Sequence, residues 1–197
     1  YGNVRGLNFT LKKRLSNSYA FSVDYTFQVA EGNASSPTQT YLNYRSQTQN
    51  QQQVVFLDWD QTHTLRWVVD YASEGWHAGM IGKLESGYPY TPAIGSAVQG
   101  GQTGSEENNA RKPSLFNVDL NISKEFELSL GEGRIYYGLY TKIYNLFDTR
   151  NELFVFTNSG RATFSSDPAF VGFAQFDKRP DFFSKPREVL VGAYIRF

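Results

Sequence analysis

The sequence predicts an all-β protein, and more narrowly an antiparallel barrel that crosses a membrane on about seven long strands. Three observations carry this. Apolar and polar residues alternate with a period of two over long stretches, every second connection is long, and aromatic residues make up 16% of the 197. A period of two belongs to a strand with one face in an apolar medium, whereas an amphipathic helix repeats every 3.6 residues.

Taken in order, Arg5 to Arg14 sets Leu7, Phe9 and Leu11 against Asn8, Thr10 and Lys12. Tyr19 to Ala30 is the clearest segment: Tyr19, Phe21, Val23, Tyr25, Phe27 and Val29 alternate with Ala20, Ser22, Asp24, Thr26, Gln28 and Ala30. Thr62 to Tyr71 sets Leu65, Trp67, Val69 and Tyr71 against Thr62, Thr64, Arg66 and Asp70, and Trp76 to Glu85 is strand-like. From Phe116 to Phe126, Phe116, Val118, Leu120 and Ile122 oppose a wholly hydrophilic set. Arg134 to Leu146 also reads as a strand, but Ile135, Tyr137, Leu139, Thr141 and Ile143 oppose Tyr136, Gly138, Tyr140, Lys142 and Tyr144, which leaves its outward face open. Glu188 to Phe197 closes the chain with Val189, Val191, Ala193, Ile195 and Phe197 together.

The connections alternate in length. About four residues at Leu15 to Ser18 and at Ala72 to Gly75, and a Gly131-Glu132-Gly133 turn, contrast with about thirty at Glu31 to Gln61 and 25 at Gly87 to Ser114. About forty more, with a small hairpin near Glu152 to Thr163, precede the last strand. Outer-membrane barrels have this asymmetry, with tight periplasmic turns and long outer loops. The alternative is a secreted β-sandwich, but typical soluble strands run only about 5 to 6 residues. Aromatics at strand ends, as at Tyr19, Tyr71, Trp76, Phe126 and Phe197, suit a membrane interface.

Composition narrows the function. Nineteen basic and 19 acidic residues cancel, which disfavours nucleic acid as a partner. Zero cysteines exclude disulfides and thiolate chemistry. No enzyme, cofactor or metal is expected. His63 and His77 fall near opposite ends of their hairpin, Asp58 and Asp60 lack a glycine-centred calcium loop, and no serine sits in a nucleophile elbow. The hydrophilic strand positions Asp24, Gln28, Arg66, Asp70, Asp119, Asn121 and Glu125 are expected to line a wetted lumen. Their mixed signs fit no strongly selective ion pore. Tyr41, Tyr44 and Arg45 in the first long loop, with Tyr88 and Tyr90 in the second, are candidates for contact with a small solute outside the cell.

Several segments resemble the C-terminal barrel portion of TonB-dependent outer-membrane receptors, especially the carboxypeptidase-regulatory-like subgroup. They are Leu57-Asp58-Trp59-Asp60-Gln61-Thr62-His63-Thr64-Leu65, Ser86-Gly87-Tyr88-Pro89-Tyr90-Thr91-Pro92, Tyr144-Asn145-Leu146-Phe147-Asp148-Thr149-Arg150-Asn151, and Pro186 to Phe197. The resemblance implies that residues 1–197 form the C-terminal part of a 22-stranded barrel whose plug and earlier strands lie elsewhere. Counting agrees: if Phe197 ends on the periplasmic side, seven alternating strands place Tyr1 outside, and at least one further strand is needed.

By the same resemblance, Tyr194, Ile195 and Phe197 would be the signal recognised by the barrel-assembly machinery. The implied partners are outer-membrane lipid, the rest of the barrel and its plug, an energy-coupling TonB-type protein acting through that plug, and a scarce solute. The implied role is receptor-mediated uptake at the bacterial outer membrane. A surface scaffold without transport and a passive porin-like pore are the alternatives.

Overall fold

The computed structural model describes residues 1–34, 38–47, 53–93, 106–130, 133–166 and 178–196. Among these, the chain is all-β. Its seven long strands are β1 (Gly2–Ser16), β2 (Tyr19–Gly32), β4 (His63–Ser73), β5 (Trp76–Glu85), β8 (Leu115–Leu130), β9 (Gly133–Tyr144) and β10 (Glu188–Arg196). The short strands are β3 (Val55–Phe56), β6 (Pro89–Tyr90) and β7 (Ala110–Arg111). One short helix, α1 (Gln39–Arg45), and a 3-10 turn at Pro180–Phe182 lie in the long connections. Neither is long enough to cross a membrane.

The long strands form one antiparallel sheet in the order β1-β2-β4-β5-β8-β9-β10, with β3 added to the end of β2. The sheet is open: β1 and β10 are its edges and do not pair with each other. Each sequence-derived strand is present; β1, β2, β4 and β8 run longer than the periodicity indicated, and β1 and β4 gain their last two residues because two hairpins close more tightly than in four residues. Asn17 and Ser18 (φ 51° and 71°) join β1 to β2, and Glu74 and Gly75 (φ 49° and 76°) join β4 to β5. Positive φ at both central residues gives the turn whose twist matches the strands it joins. Of the Gly131-Glu132-Gly133 turn, Gly131 and Glu132 lie outside the described residues.

The expected hairpin near Glu152 to Thr163 is reduced to single bridges, Phe156 with Arg161 and Glu152 with Phe183. The three long connections leave from the end opposite the tight turns. There β6 and β7 pair as a small ribbon.

Among the described residues no second layer packs on this sheet. Among the described residues the buried apolar side chains are Ala30, Val55, Leu115, Val118 and Ala162. All but Val118 belong to the loop end or the strand ends leading into it, so no core lies against the middle of the sheet.

Candidate functional site

Residues paired across an antiparallel ladder share a face, so the register fixes both faces of the sheet. One row runs Phe21, Val69, Met80, Leu120, Ile143 and Val189 across six strands. The rows on either side continue it, with Leu7, Phe9 and Leu11 on β1 opposite Phe27, Tyr25 and Val23. This apolar face settles β9: Ile135, Tyr137, Leu139, Thr141 and Ile143 belong to it. The face is bare. Leu11 is 63% exposed, Leu139 57% and Val191 75%.

Aromatic rings band this face at both ends. At the tight-turn end are the paired Tyr19 and Tyr71, then Trp76, and Phe126 stacked on Tyr137 with centroids 5.1 Å apart. At the loop end His63 lies against Phe27 at 5.4 Å and takes a 2.9 Å hydrogen bond between Nδ1 and the Tyr25 hydroxyl. Trp67, Phe116 and Phe147 continue that band. Tyr71 and His63 are eight residues apart in β4, about 26 Å along the strand. Phe126 sits several residues inside the end of β8 rather than at it, as the sequence had suggested.

Two lysines also stand on the apolar face, both at the tight-turn band. Lys13 lies 3.6 Å over the Tyr19 ring and donates to the Ser16 and Tyr19 carbonyls at 2.8 and 2.9 Å. Lys124 lies over Trp76 and Phe126 and donates to the Glu74 carbonyl at 2.6 Å. Each ammonium is thus drawn off the apolar surface to a turn, the geometry of a snorkelling side chain.

The opposite face is mostly polar, with Val68, Ile81 and Leu190 interspersed, and it carries all seven positions expected to be hydrophilic. Several are occupied within the sheet. Asp24 accepts from Thr10 at 2.6 Å and Ser22 at 3.0 Å, and Arg66 pairs with the buried Glu85 at 3.0 Å. Asp119 accepts from Asn117 and the Asn145 N–H, and Glu125 accepts from the Tyr194 hydroxyl at 3.0 Å. Asp70 and Asn121 come together with His77 around a shallow hollow of about 360 Å³. Gln28 stands apart, opposite Gly6. His63 and His77 are therefore on different faces as well as at different ends.

The proposed assembly residues separate. Ile195 is on the apolar face, while Tyr194 is on the polar face, lying over Gly138, where an added Cβ would come within 2.4 Å of its ring. Tyr140 covers Gly192 in the same way. The Tyr140 cover is one reason why β9 reads as aromatic on both faces. Phe197 lies outside the described residues.

At the loop end, buried polar groups tie the connections together. Asp60 is fully buried, accepts the Ala30 N–H at 2.6 Å and pairs with Arg111, so its carboxylate is committed to the protein rather than to calcium. Asn108, at φ 58°, donates through Nδ2 to the Phe56 carbonyl and to Asp58 Oδ1, both at 2.8 Å. Arg161 forks onto the buried Glu152 at 2.7 and 3.0 Å, which raises the guanidinium pKa.

In the Tyr144 to Asn151 segment, Asn145 closes its turn by binding the Thr149 N–H and the Thr149 and Lys185 carbonyls. Asn151 pairs with both the N–H and the carbonyl of Phe116 at 2.8 Å. Sequence reasoning missed Glu85, Asn108, Arg111, Glu152 and Arg161. Glu85, Asn108 and Arg111 are defined by partners in another part of the chain, and Glu152 and Arg161 by each other across one connection.

Tyr88 and Tyr90 meet Asp58, Trp59, Asn108 and Lys112 around an open cavity of about 490 Å³. Tyr41, Tyr44 and Arg45 do not join them. They sit on α1, with Tyr41 and Tyr44 exposed, and are not part of that cavity lining. The Lys112 ammonium donates to the Leu153 carbonyl at 3.0 Å, and burial lowers its pKa against the opposing pull of Asp58.

Comparison of the chain with protein-family models, curated proteins and solved structures returns no match.

Proposed function

We propose that this sheet is part of the wall of a bacterial outer-membrane β-barrel, of the TonB-dependent receptor kind, and that the barrel takes up a scarce solute gathered at the outer loops. The observation that carries the membrane reading is the bare apolar face. In water, each uncovered Leu, Val or Phe forgoes roughly 1.5 to 3 kcal/mol of burial. A sheet whose seven strands all present such side chains on one side needs an apolar layer against them. Aromatic bands at both ends and lysines withdrawn to the turns match the dimensions and chemistry of a bilayer.

The free edges β1 and β10 require further strands, because a lipid-exposed edge leaves backbone groups unpaired. The receptor and uptake part of the reading rests on the resemblance of the loop and turn segments. The mixed charges of the polar face, paired within the sheet, support a wetted interior against a plug rather than a selective pore.

The test is fractionation of the source cells. The intact polypeptide should stay with outer membranes through an alkaline carbonate wash and migrate faster unboiled than boiled on electrophoresis. Recovery in the soluble fraction, with no heat-dependent mobility, would sink the reading. Peptide mapping that finds no plug sequence in the same polypeptide would move the role from uptake to scaffold or pore.

A further inference from the structure

We propose that the loop-end cavity lined by Asp58, Trp59, Tyr88, Tyr90, Asn108 and Lys112 binds a neutral saccharide; this rests on the reading above, in which those loops face the outside of the cell. Trp59 is 48% exposed and Tyr88 37%, so two large rings stand open at the rim of this one cavity. Ring faces carry negative quadrupole charge and attract the polarised C–H face of a pyranose, while Trp and Tyr keep a polar handle at the rim.

The polar groups fit the hydroxyl edge of the same ring. Asp58 uses Oδ1 to accept from Asn108, and its Oδ2 has no hydrogen-bond donor among the described residues. Lys112 spends one of its three donors on the Leu153 carbonyl. A sugar hydroxyl both donates and accepts, so it satisfies a carboxylate oxygen and an ammonium side by side. Charge agrees with this class: one carboxylate and one ammonium cancel across the cavity, so its net charge favours neither a cationic nor an anionic ligand.

The cavity is also pre-formed. Asn108 anchors one wall to the Phe56 carbonyl, and the Asp60–Arg111 pair ties together the two loops that supply Trp59 and Tyr88. Less ordering is then needed on binding.

The test is retention of the intact protein, in detergent, on an array of neutral oligosaccharides, repeated with Trp59→Ala, Tyr88→Ala and the conservative Trp59→Phe. At least one oligosaccharide should be retained, each alanine variant should weaken it by about tenfold, and Trp59→Phe should keep most of the binding. Hexalysine and hexaglutamate should not compete. The proposal is overturned if no neutral oligosaccharide is retained, if both alanine variants bind as the parent does, or if either charged peptide displaces the sugar. Membrane insertion is scored on the same preparations. An inserted protein that binds no sugar overturns the site alone, and a protein that binds sugar but washes off the membrane overturns the wall reading alone.

Discussion

Asp60 and Arg111, 51 residues apart in sequence, form an ion pair between a fully buried carboxylate and a half-buried guanidinium that fastens the first long connection to the second. The pair is completed by the Ala30 N–H on Asp60 Oδ1, and by the Asp60 and Gly87 carbonyls, each 3.3 Å from the guanidinium. It therefore joins the end of β2, the approach to β4 and the ribbon of β6 and β7. A buried pair of this kind adds little net stability over an apolar substitute, but removing one partner strands the other.

Asp60→Ala leaves Arg111 and the Ala30 N–H without their acceptor. The expected cost is about 3 to 5 kcal/mol, confined to the loop end. Protease cleavage within residues 57–62 and 106–112 should become faster by two orders of magnitude or more, while the heat-dependent mobility of the sheet is kept. Unchanged cleavage would mean the pair does not hold the loops.

Trp67 covers Gly82 on the neighbouring strand, and a Cβ at Gly82 would lie 2.0 Å from its ring. Gly82→Ala must push the indole out of the aromatic band, at about 1 to 3 kcal/mol. Gly79→Ala, three residues earlier and facing Asp70 across 3.4 Å, should be close to neutral. Urea unfolding from vesicles, read by tryptophan emission, compares the two. Equal effects would show that the Trp67 cover is not part of the folded sheet.

Burial holds the Lys112 pKa below its ordinary 10.5, so the folded loop binds this proton less well than the unfolded chain does. Between the lowered folded value and 10.5 the unfolded state carries more protons, and stability contributed by this site rises with pH through that window. Loop protection against protease should therefore improve as pH climbs toward 10.5, and the improvement should shrink in Lys112→Met. An identical pH slope in the variant would assign the effect to other groups.

How much was legible in the sequence depended on whether a feature is local. Strand positions were readable because alternation is a property of consecutive residues, and the faces of β2 and β8 followed directly. The face of β9 was not, because Tyr136, Tyr140 and Tyr144 put aromatic character on its polar side, Tyr140 by lying over Gly192 of the partner strand. Register resolves it: Ile143 stands opposite Leu120 on one side and Val189 on the other. The loop site was only half legible. Tyr88 and Tyr90 stood out as loop aromatics, but Asn108 and Lys112 arrive through the pairing of β7 with β6, which no local pattern announces. The acidic pair Asp58 and Asp60 looked like two equivalent carboxylates. Burial of one and exposure of the other separates their roles.

Depth across the apolar face offers the sharpest distinction between a bilayer and a protein layer. Met80 and Leu120 are paired in the row midway between the aromatic bands, whereas Ile195 is paired with Tyr137 inside the tight-turn band. In a bilayer the cost of a charge peaks at the midplane, because an arginine near the interface can reach the headgroups. Met80→Arg and Leu120→Arg should then each cost about 2 to 4 kcal/mol, and Ile195→Arg about 0 to 1. Asn121→Arg, on the polar face, should stay within about 0.5 kcal/mol. If a second protein layer covered the face instead, Ile195 would be as enclosed as Met80 and the gradient would vanish. Urea unfolding of the four variants in phospholipid vesicles measures it: a graded loss from centre to rim supports lipid as the covering layer, and a flat one replaces it with protein.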